Sequence, residues 1–468
     1  MPMADALRQR FTVHAIDTPG YGLSDAPDRR PESLDEYLDD FLQVFDALGI
    51  GRCAVYGAAT GAQLGIALAR RAPQRVALLV LDSAGHFDAD ETERIVGSYF
   101  PDLAPRDDGS HLATTWTMVR DLFAFFPWCD RRPSARLDRD LPPIGVMQDF
   151  LLDYLRAGER YDWAYRPAFY HERVERAREV TVPALLVRWP SSAVLGATDA
   201  MIAAGLPTNF GVLHPGPAPA ERYACVAAAL LERWGSATAA APSRAQVAPA
   251  GRFASAWLDG GDLRLHARAR RDGVDRPLLL LHGAGGSAAA MERRWAPQYA
   301  DRPRLCIDLP GHGESGPWPG GDPAGALGSL ADHLATALAR VGFDDFDAVA
   351  GPLGQRVLDV VRARGTARPR LVSAVDPLPP RTLPLPEWLQ RHTPDLAPGV
   401  DGTHLWRAWH HARDAALWSP WWQRARAAAQ PSPLPPAAEL HARVVDLMKA
   451  APAYAAAIAC EYAPAENG

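Results

Sequence analysis

Cysteine is scarce in this chain, and the few that occur lie far apart. The 468 residues contain five cysteines, an odd number, and no two of them form a C-x-x-C pair. This number and spacing argue against both a disulfide framework and a cysteine zinc site. We therefore expect a protein of the reducing cytoplasm that holds neither a metal nor a cofactor.

Long apolar runs and a large excess of one charge are also lacking. The polar N-terminus has no stretch like the 7–15 apolar residues of a signal peptide, and no later run approaches the ~20 apolar residues of a membrane span. The net charge is −6, with acids and bases interspersed. This argues against nucleic acid and against a membrane surface as partners. The sequence predicts a soluble protein that is not exported by that route.

What the chain does have is length and apolar content. Its 468 residues, 48% of them hydrophobic, exceed the size at which one core normally splits, so we expect two folded domains. An Ala/Ser/Pro-rich stretch without periodicity, residues 236–250, predicts a linker between domains at 1–235 and 251–468. Arg outnumbers Lys heavily and Ala and Pro are abundant, which is typical of a GC-rich bacterial genome.

A loop pattern, D-x-P-G-x-G-x-S, occurs at residues 17–24 and again at 308–315. In each half a buried strand is predicted before the loop, and a helix, a strand, a tight turn and a second helix after it. A further strand then leads to an acid, Asp82 or Asp376. This alternation predicts a doubly wound α/β fold, and its recurrence predicts an internal repeat. The predicted strands of the first half are Phe11–Ile16, Cys53–Tyr56, Val76–Leu81, Pro183–Val187 and Asn209–Leu213, and those of the second are Phe253–Trp257, Leu263–Ala267, Pro277–Leu281, Leu305–Ile307, Ala348–Val349 and Leu371–Val375.

The repeat is clearest after the two acids. The pattern D-G-[S/T]-H-L occurs at residues 108–112 and 401–405, and tryptophans follow it at the same spacing in both halves. These segments are helical and aromatic-rich and interrupt the alternation of strands and helices. We expect each to form a cap over the sheet, at about 86–178 and about 378–468, that lines a substrate pocket.

Together, the His282-Gly283 turn, the two D-x-P-G loops, the tight turns and the cap positions resemble the α/β-hydrolase superfamily over nearly the whole chain. The cap pattern resembles a bacterial branch whose nucleophile elbow can read G-x-H-T-G. The resemblance implies two tandem copies, each with a strand order of 1-2-4-3-5-6-7-8. The first copy would lack strands 1–3, and the second would lack strands 7–8.

Losing strand 3 opens a gap between strands 4 and 5 of the first copy. Backbone groups along that gap would be unpaired, at roughly 1–3 kcal/mol for each buried group. Three solutions are open: the natural chain extends upstream, Pro277–Leu281 supplies the missing strand in a permuted arrangement, or strands 4 and 5 pair directly. A truncated or degenerate start is favoured. The open edge after strand 6 predicts some self-association of the protein.

Both nucleophile elbows lack a nucleophile. The central residue of G-x-S-x-G is Ala59 in Gly57-Ala58-Ala59-Thr60-Gly61, and it is Pro352 in the second copy. Ala59 can adopt the positive φ of an elbow at a cost of ~1–2 kcal/mol. Pro352 cannot, because its ring fixes φ near −65°. Serine esterase or lipase activity is therefore not expected.

The candidate acid–base groups are His111 with Asp82 in the first copy, and His404 with Asp376 in the second. Imidazole titrates near neutrality and both histidines lie in a cap, but a buried packing histidine is the alternative. The turn at His282-Gly283 is a candidate for lining an oxyanion hole, and a purely structural turn is its alternative.

Two functions fit these residues. One is a divergent enzyme that acts on a small organic molecule through acid–base chemistry. The other is a catalytically inactive relative that binds a small ligand or a protein partner.

Overall fold

The computed structural model describes residues 2–234, 253–367, 369–370 and 372–463; the predicted linker 236–250 lies outside them. The chain divides into two compact units. The first unit is Met1–Ala104 with Thr114–Gln246, and the second unit is Pro105–Ala113 with Val247–Gly468. The sequence places residues 105–113 in the first half, whereas the structure groups them with the second.

The described α-helices before residue 235 include those of the first cap. They are α1 (Pro2–Leu7), α2 (Leu38–Ala47), α3 (Thr60–Arg71), α4 (Ala89–Tyr99), α5 (Ser110–Ala124), α6 (Ile144–Ala157), α7 (Tyr165–His171), α8 (Val174–Arg178), α9 (Leu195–Ala203) and α10 (Pro219–Trp234). Short 3-10 helices lie at Leu34–Tyr37, Pro73–Arg75, Pro133–Ala135 and Gly158–Arg160.

Four parallel strands form the sheet of the first unit, in the order β1 (Cys53–Ala58), β2 (Val76–Asp82), β3 (Ala184–Val187) and β4 (Phe210–Leu213). The apolar run of β2 is buried at every position because helices cover both faces. Its Leu79 and Leu81 pack with α3, while Leu78 and Val80 pack with α10. This order is that of strands 5-6-7-8 of the superfamily.

The predicted strand Phe11–Ile16 is wrong, since the structure has no strand there and its side chains are only partly buried or exposed. Phe11 and Val13 pack beside one core cluster and Ile16 beside another. Direct pairing of this segment with β1 is also wrong, because β1 pairs with β2 and its other edge is open within the described part of the chain. The apolar side chains of this segment pack beside the core, but its backbone does not join the sheet.

The second unit contains β5 (Ala254–Asp259), β6 (Arg264–Arg270), β7 (Leu278–Leu281), β8 (Arg304–Ile307), β9 (Asp347–Ala350) and β10 (Val372–Ala374). Its described helices are α11 (Ala288–Arg294), α12 (Pro323–Arg340), α13 (Pro352–Ala363), α14 (Leu385–His392), α15 (Thr403–Leu417) and α16 (Ala437–Glu461). Two 3-10 helices lie at Ala296–Tyr299 and Arg426–Ala428.

The second sheet has the order β10-β9-β7-β8-β6-β5, and β6 runs antiparallel to both of its neighbours. Numbered as strands of the superfamily, this is 6-5-3-4-2-1, the order that the resemblance implies. The four leucines of β7 are buried, with Leu279 and Leu281 facing α12 and α13, and Leu278 and Leu280 facing α11. Because β7 pairs with β8 and β9, the permuted arrangement in which it fills the gap of the first sheet is wrong.

The two cap segments share local conformations at the same spacing along the chain. Gly109 and Gly402 both have φ of 75°. Asp121 forms an ion pair with Arg131, as Asp414 does with Arg424. An isolated bridge links Phe125 to Arg136, and another links Trp418 to Ala429. The repeat in the sequence is thus accompanied by a repeat of turns and contacts.

Candidate functional site

The elbow of the first unit keeps its shape without a reactive group. Ala59 has φ of 49° and ψ of −117° and is the residue directly before α3, with its methyl group exposed. Its N–H donates to the carbonyl oxygen of Asp82 at 3.0 Å. Gly57 is required for this turn, since a Cβ there would lie 2.1 Å from the carbonyl oxygen of Gly61. The position that presents a nucleophile in a hydrolase presents a methyl group here.

Asp82 is fully buried at the end of β2 and is held by two side chains. Its Oδ2 accepts a hydrogen bond from the Tyr56 hydroxyl at 2.6 Å and lies 3.3 Å from Nη1 of Arg222. The Arg222 guanidinium lies over the Trp189 ring, 4.0 Å from its centroid. Desolvation raises the pKa of Tyr56, and the Asp82 charge raises it further. These contacts are those of a buried ion pair that ties β2 to α10.

His111 belongs to the second unit, so the two members of the predicted His111–Asp82 pair lie in different units. The imidazole is buried, with Nδ1 accepting from the Arg106 N–H at 3.2 Å. Nε2 therefore carries the proton of the neutral ring and donates to Nδ1 of His441 at 3.0 Å. Burial first, then the His441 and Arg106 charges, lower the pKa of His111 to about 4. This is the packing alternative of the sequence analysis.

His404 repeats that arrangement, since its Nδ1 accepts from the Gly399 N–H at 3.2 Å. Burial lowers the pKa of His404 too. Asp376 is exposed and receives two hydrogen bonds of 3.0 Å from Arg294. The predicted equivalence of Asp376 and Asp82 is wrong by one residue. The strand registers place Asp82 at the position of Val375. Asp376 corresponds instead to Ser83, and both have a positive φ, of 50° and 53° respectively.

The second elbow is remodelled, because Pro352 begins α13 in ordinary helical conformation. The residue before it, Gly351, has φ of −70° and its N–H donates to the Leu281 carbonyl oxygen at 2.9 Å. No non-glycine residue of this turn is among the described residues with positive φ. The proline therefore excludes the strained conformation as well as the nucleophile.

His282 lies in the loop after β7 and forms a hydrogen bond with the D-x-P-G loop of residues 308–315. Its Nε2 accepts from the Leu309 N–H at 2.9 Å, so its Nδ1 carries the proton and donates to the Gly283 carbonyl oxygen at 2.8 Å. Burial lowers the pKa of His282, which keeps the ring neutral. Gly283 lets this loop approach α13, since a Cβ there would lie 2.9 Å from Cδ of Pro352.

The most informative contact of the second unit involves a residue that the sequence analysis missed. Glu461, at the end of α16, places Oε1 2.7 Å from the Ala284 nitrogen and 3.1 Å from the Leu353 nitrogen. In α/β-hydrolases the oxyanion hole is formed by the N–H of the residue after the nucleophile and by an N–H of the loop after strand 3. Leu353 follows Pro352, and Ala284 lies after β7, the third strand of this sheet. The Glu461 carboxylate occupies the corresponding hole.

A sequence signal for Glu461 does exist. It continues the buried face of α16 formed by Tyr454, Ala457 and Ile458, where an acid is out of place. Desolvation raises the pKa of Glu461 to about 7, against the lowering effect of the two backbone hydrogen bonds.

A serine, a histidine and an aspartate also meet elsewhere in the second unit. Nδ1 of His266 lies 2.7 Å from Oδ2 of Asp308, and Nε2 lies 3.4 Å from the Ser255 hydroxyl. The Asp308 carboxylate also accepts the N–H groups of Ala288 and Glu314, so it organises the D-x-P-G loop. The Ser255 to His266 distance is longer than a good hydrogen bond, and we interpret the group as structural.

Comparison with known proteins agrees with this fold. Residues 1–166 match the family described as the alpha/beta hydrolase fold. Over this region the chain is similar to the α/β-hydrolase superfamily. No helix in the described part of the chain is both long and apolar enough to cross a bilayer.

The similarity to individual proteins is partial. Pimeloyl-(acyl-carrier protein) methyl ester esterase of Nitrosomonas europaea is 40% identical over 79 residues, which are 17% of this chain and 29% of the esterase. The chain thus spans under a third of the length of that relative. Among solved structures, an α/β hydrolase from Novosphingobium aromaticivorans is 27% identical with a TM-score of 0.25, covering 30% of this chain and 48% of its own. A meta-cleavage product hydrolase from Pseudomonas fluorescens is 20% identical with a TM-score of 0.34, covering 49% and 82%.

Proposed function

We propose that this protein is a catalytically inactive member of the α/β-hydrolase superfamily that acts by binding a small ligand or a protein partner. The observation that carries this proposal is the occupied hole of the second unit. The two N–H groups that would stabilise a developing oxyanion are taken by Glu461 and face a proline instead of a nucleophile.

The first unit supports the same function for a different reason. Its elbow at Ala59 has the right conformation but presents a methyl group in place of a nucleophile. Asp82 is engaged by Arg222 and Tyr56.

The alternative, an enzyme that uses His111 as its acid–base group, is less well supported. A general base must reach its substrate with a free nitrogen lone pair. In His111 the lone pair of Nδ1 is directed at the Arg106 N–H, and the Nε2 proton is directed at His441. A pKa of about 4 also disfavours the imidazolium form that a general acid at neutral pH needs.

Self-association remains part of the proposal. The β10 edge of the second sheet is open within the described part of the chain, and β10 is a short strand of three residues. An open edge offers backbone donors and acceptors to another chain. Sizing the protein in solution tests this, and a strict monomer over a wide concentration range contradicts it.

The decisive experiment combines a fluorophosphonate probe with a panel of small aromatic and aliphatic acids. We expect no labelled residue and no turnover, but stabilisation of the protein by at least one panel member or by a captured partner. Ser255→Ala is the matched control, since Ser255 is the serine that contacts a histidine paired with an aspartate. Labelling that disappears in Ser255→Ala, or any turnover lost in His111→Ala with the fold intact, refutes the proposal.

A further inference from the structure

The contact between Glu461 and the oxyanion-type hole joins three distant parts of the second unit. The acceptor lies at the end of α16, one donor lies in the loop after β7, and the other lies in the first turn of α13. Glu461 is 6% exposed. A buried carboxylate is costly unless hydrogen-bonded partners compensate for the lost hydration.

The two donors are free for this purpose for simple structural reasons. Leu353 is the second residue of α13, and the first N–H groups of a helix have no intrahelical acceptor. The positive end of the helix dipole also lies there. Pro352 has no N–H, so it does not compete for the carboxylate. Ala284 lies in the turn of residues 283–286, where the chain leaves β7 and has not yet entered α11.

Glycines bring the two donors close enough to share one oxygen atom. A Cβ at Gly351 would lie 2.5 Å from the Gly283 nitrogen, and one at Gly354 would lie 2.5 Å from Cβ of Leu281. A Cβ at Gly283 would lie 3.2 Å from Oε1 of Glu461 itself. The loop and the helix therefore approach each other closely, and their N–H groups reach the same carboxylate oxygen.

We propose that the hole of the second unit is a carboxylate-binding site whose ligand is the chain's own Glu461, which fastens α16 to the sheet and excludes other anions. The contact binds a ground-state carboxylate, and no covalent step is involved. The inference deepens the proposed function, on which it rests for the lack of turnover, by naming the ligand class of this hole. The test of this inference measures binding and stability, whereas the fluorophosphonate experiment measures reactivity. Either result can therefore fail while the other stands.

The test removes the Glu461 carboxylate by mutation and then supplies a free carboxylate in solution. Glu461→Ala leaves two buried N–H groups without their acceptor, and we expect the melting temperature to fall by about 5 °C or more. Formate or acetate at about 100 mM should restore part of that loss, whereas chloride at equal ionic strength should not. Wild-type protein should show no such response to formate, because the hole is already filled.

Glu439→Ala is the matched control, since Glu439 lies at the other end of α16 in a partly exposed pair with Arg443. It should melt close to wild type and ignore formate. Glu461→Gln should also fold and melt near wild type, because its amide oxygen can accept the same two hydrogen bonds.

Amide hydrogen exchange gives a second readout at the donors. Exchange at Ala284 and Leu353 should accelerate at least about tenfold in Glu461→Ala and slow again with formate. If Glu461→Ala does not fold, formate present during refolding should recover folded protein where chloride does not. The proposal is overturned if Glu461→Ala matches wild type in melting temperature and amide exchange, or if formate stabilises wild type as much as the variant. It is also overturned if a poorly folding Glu461→Ala is not recovered by formate, or if Glu461→Gln fails to fold.

Discussion

The strained conformation of Ala59 predicts that glycine at this position stabilises the protein. A non-glycine residue held at φ of 49° and ψ of −117° costs of order 1–3 kcal/mol. Glycine removes that cost but adds about 0.5–1 kcal/mol of backbone entropy to the unfolded chain. The Ala59 methyl is exposed, so Ala59→Gly loses little packing. We expect the free energy of unfolding to rise by roughly 0.5–2 kcal/mol.

The neighbouring residue supplies the control for this prediction. Ala58 is also exposed, but it is the last residue of β1, and Ala58→Gly should lower the free energy of unfolding by about 0.5–1 kcal/mol. Urea titrations of both variants and of wild type measure the two changes. If both variants are destabilised to the same extent, Ala59 is not strained, and the idea that the first elbow survives as an unreactive turn fails.

Two more changes probe buried charges of the first unit. Arg222→Met should cost about 3–5 kcal/mol of unfolding free energy because it leaves the buried Asp82 charge without its cationic partner. Arg188→Met, in a partly exposed pair, should cost under about 1 kcal/mol, and equal losses in urea titrations would contradict this. Burial raises the pKa of Glu172 to about 8, above the value of about 4.3 that a glutamate has in an unfolded chain. The folded protein therefore binds this proton more tightly, and the contribution of Glu172 to stability is greatest at low pH. That contribution is lost as the pH rises from about 4.3 to 8. Glu172→Gln should flatten that decline in a pH series of unfolding free energies, and an unchanged slope would show that Glu172 is not buried as a neutral acid.

Much of the fold could be predicted because its sequence motifs are short and follow one another in the same order as the strands and turns they form. The apolar run of β7 next to the His282-Gly283 turn, and the two D-x-P-G loops, gave the identity of most strands. Whether a segment joins a sheet depends on a distant partner, however. Phe11–Ile16 has the apolar content of a strand, but it pairs with none of the described strands.

The site was less predictable than the fold. The ordinary helical start at Pro352 follows from the φ that its ring fixes, and the positive φ of Ala59 was expected from its place in the elbow pattern, so the sequence sufficed for both. The ligand of the hole did not follow, because Glu461 meets Ala284 across 177 residues and Leu353 across 108. Its position on an otherwise apolar helix face shows that it is buried, but not what it binds.

The two units resemble different parts of a hydrolase active site. The first unit keeps a strained elbow, a feature that costs stability, although its methyl group performs no chemistry. The second keeps a converging pair of backbone donors and satisfies them with its own carboxylate. Restoring a serine at Pro352 would not complete a site in the second unit, because Glu461 already binds both donors. In the second unit the proposed loss of catalysis therefore involves the engaged donors as well as the residue at the nucleophile position.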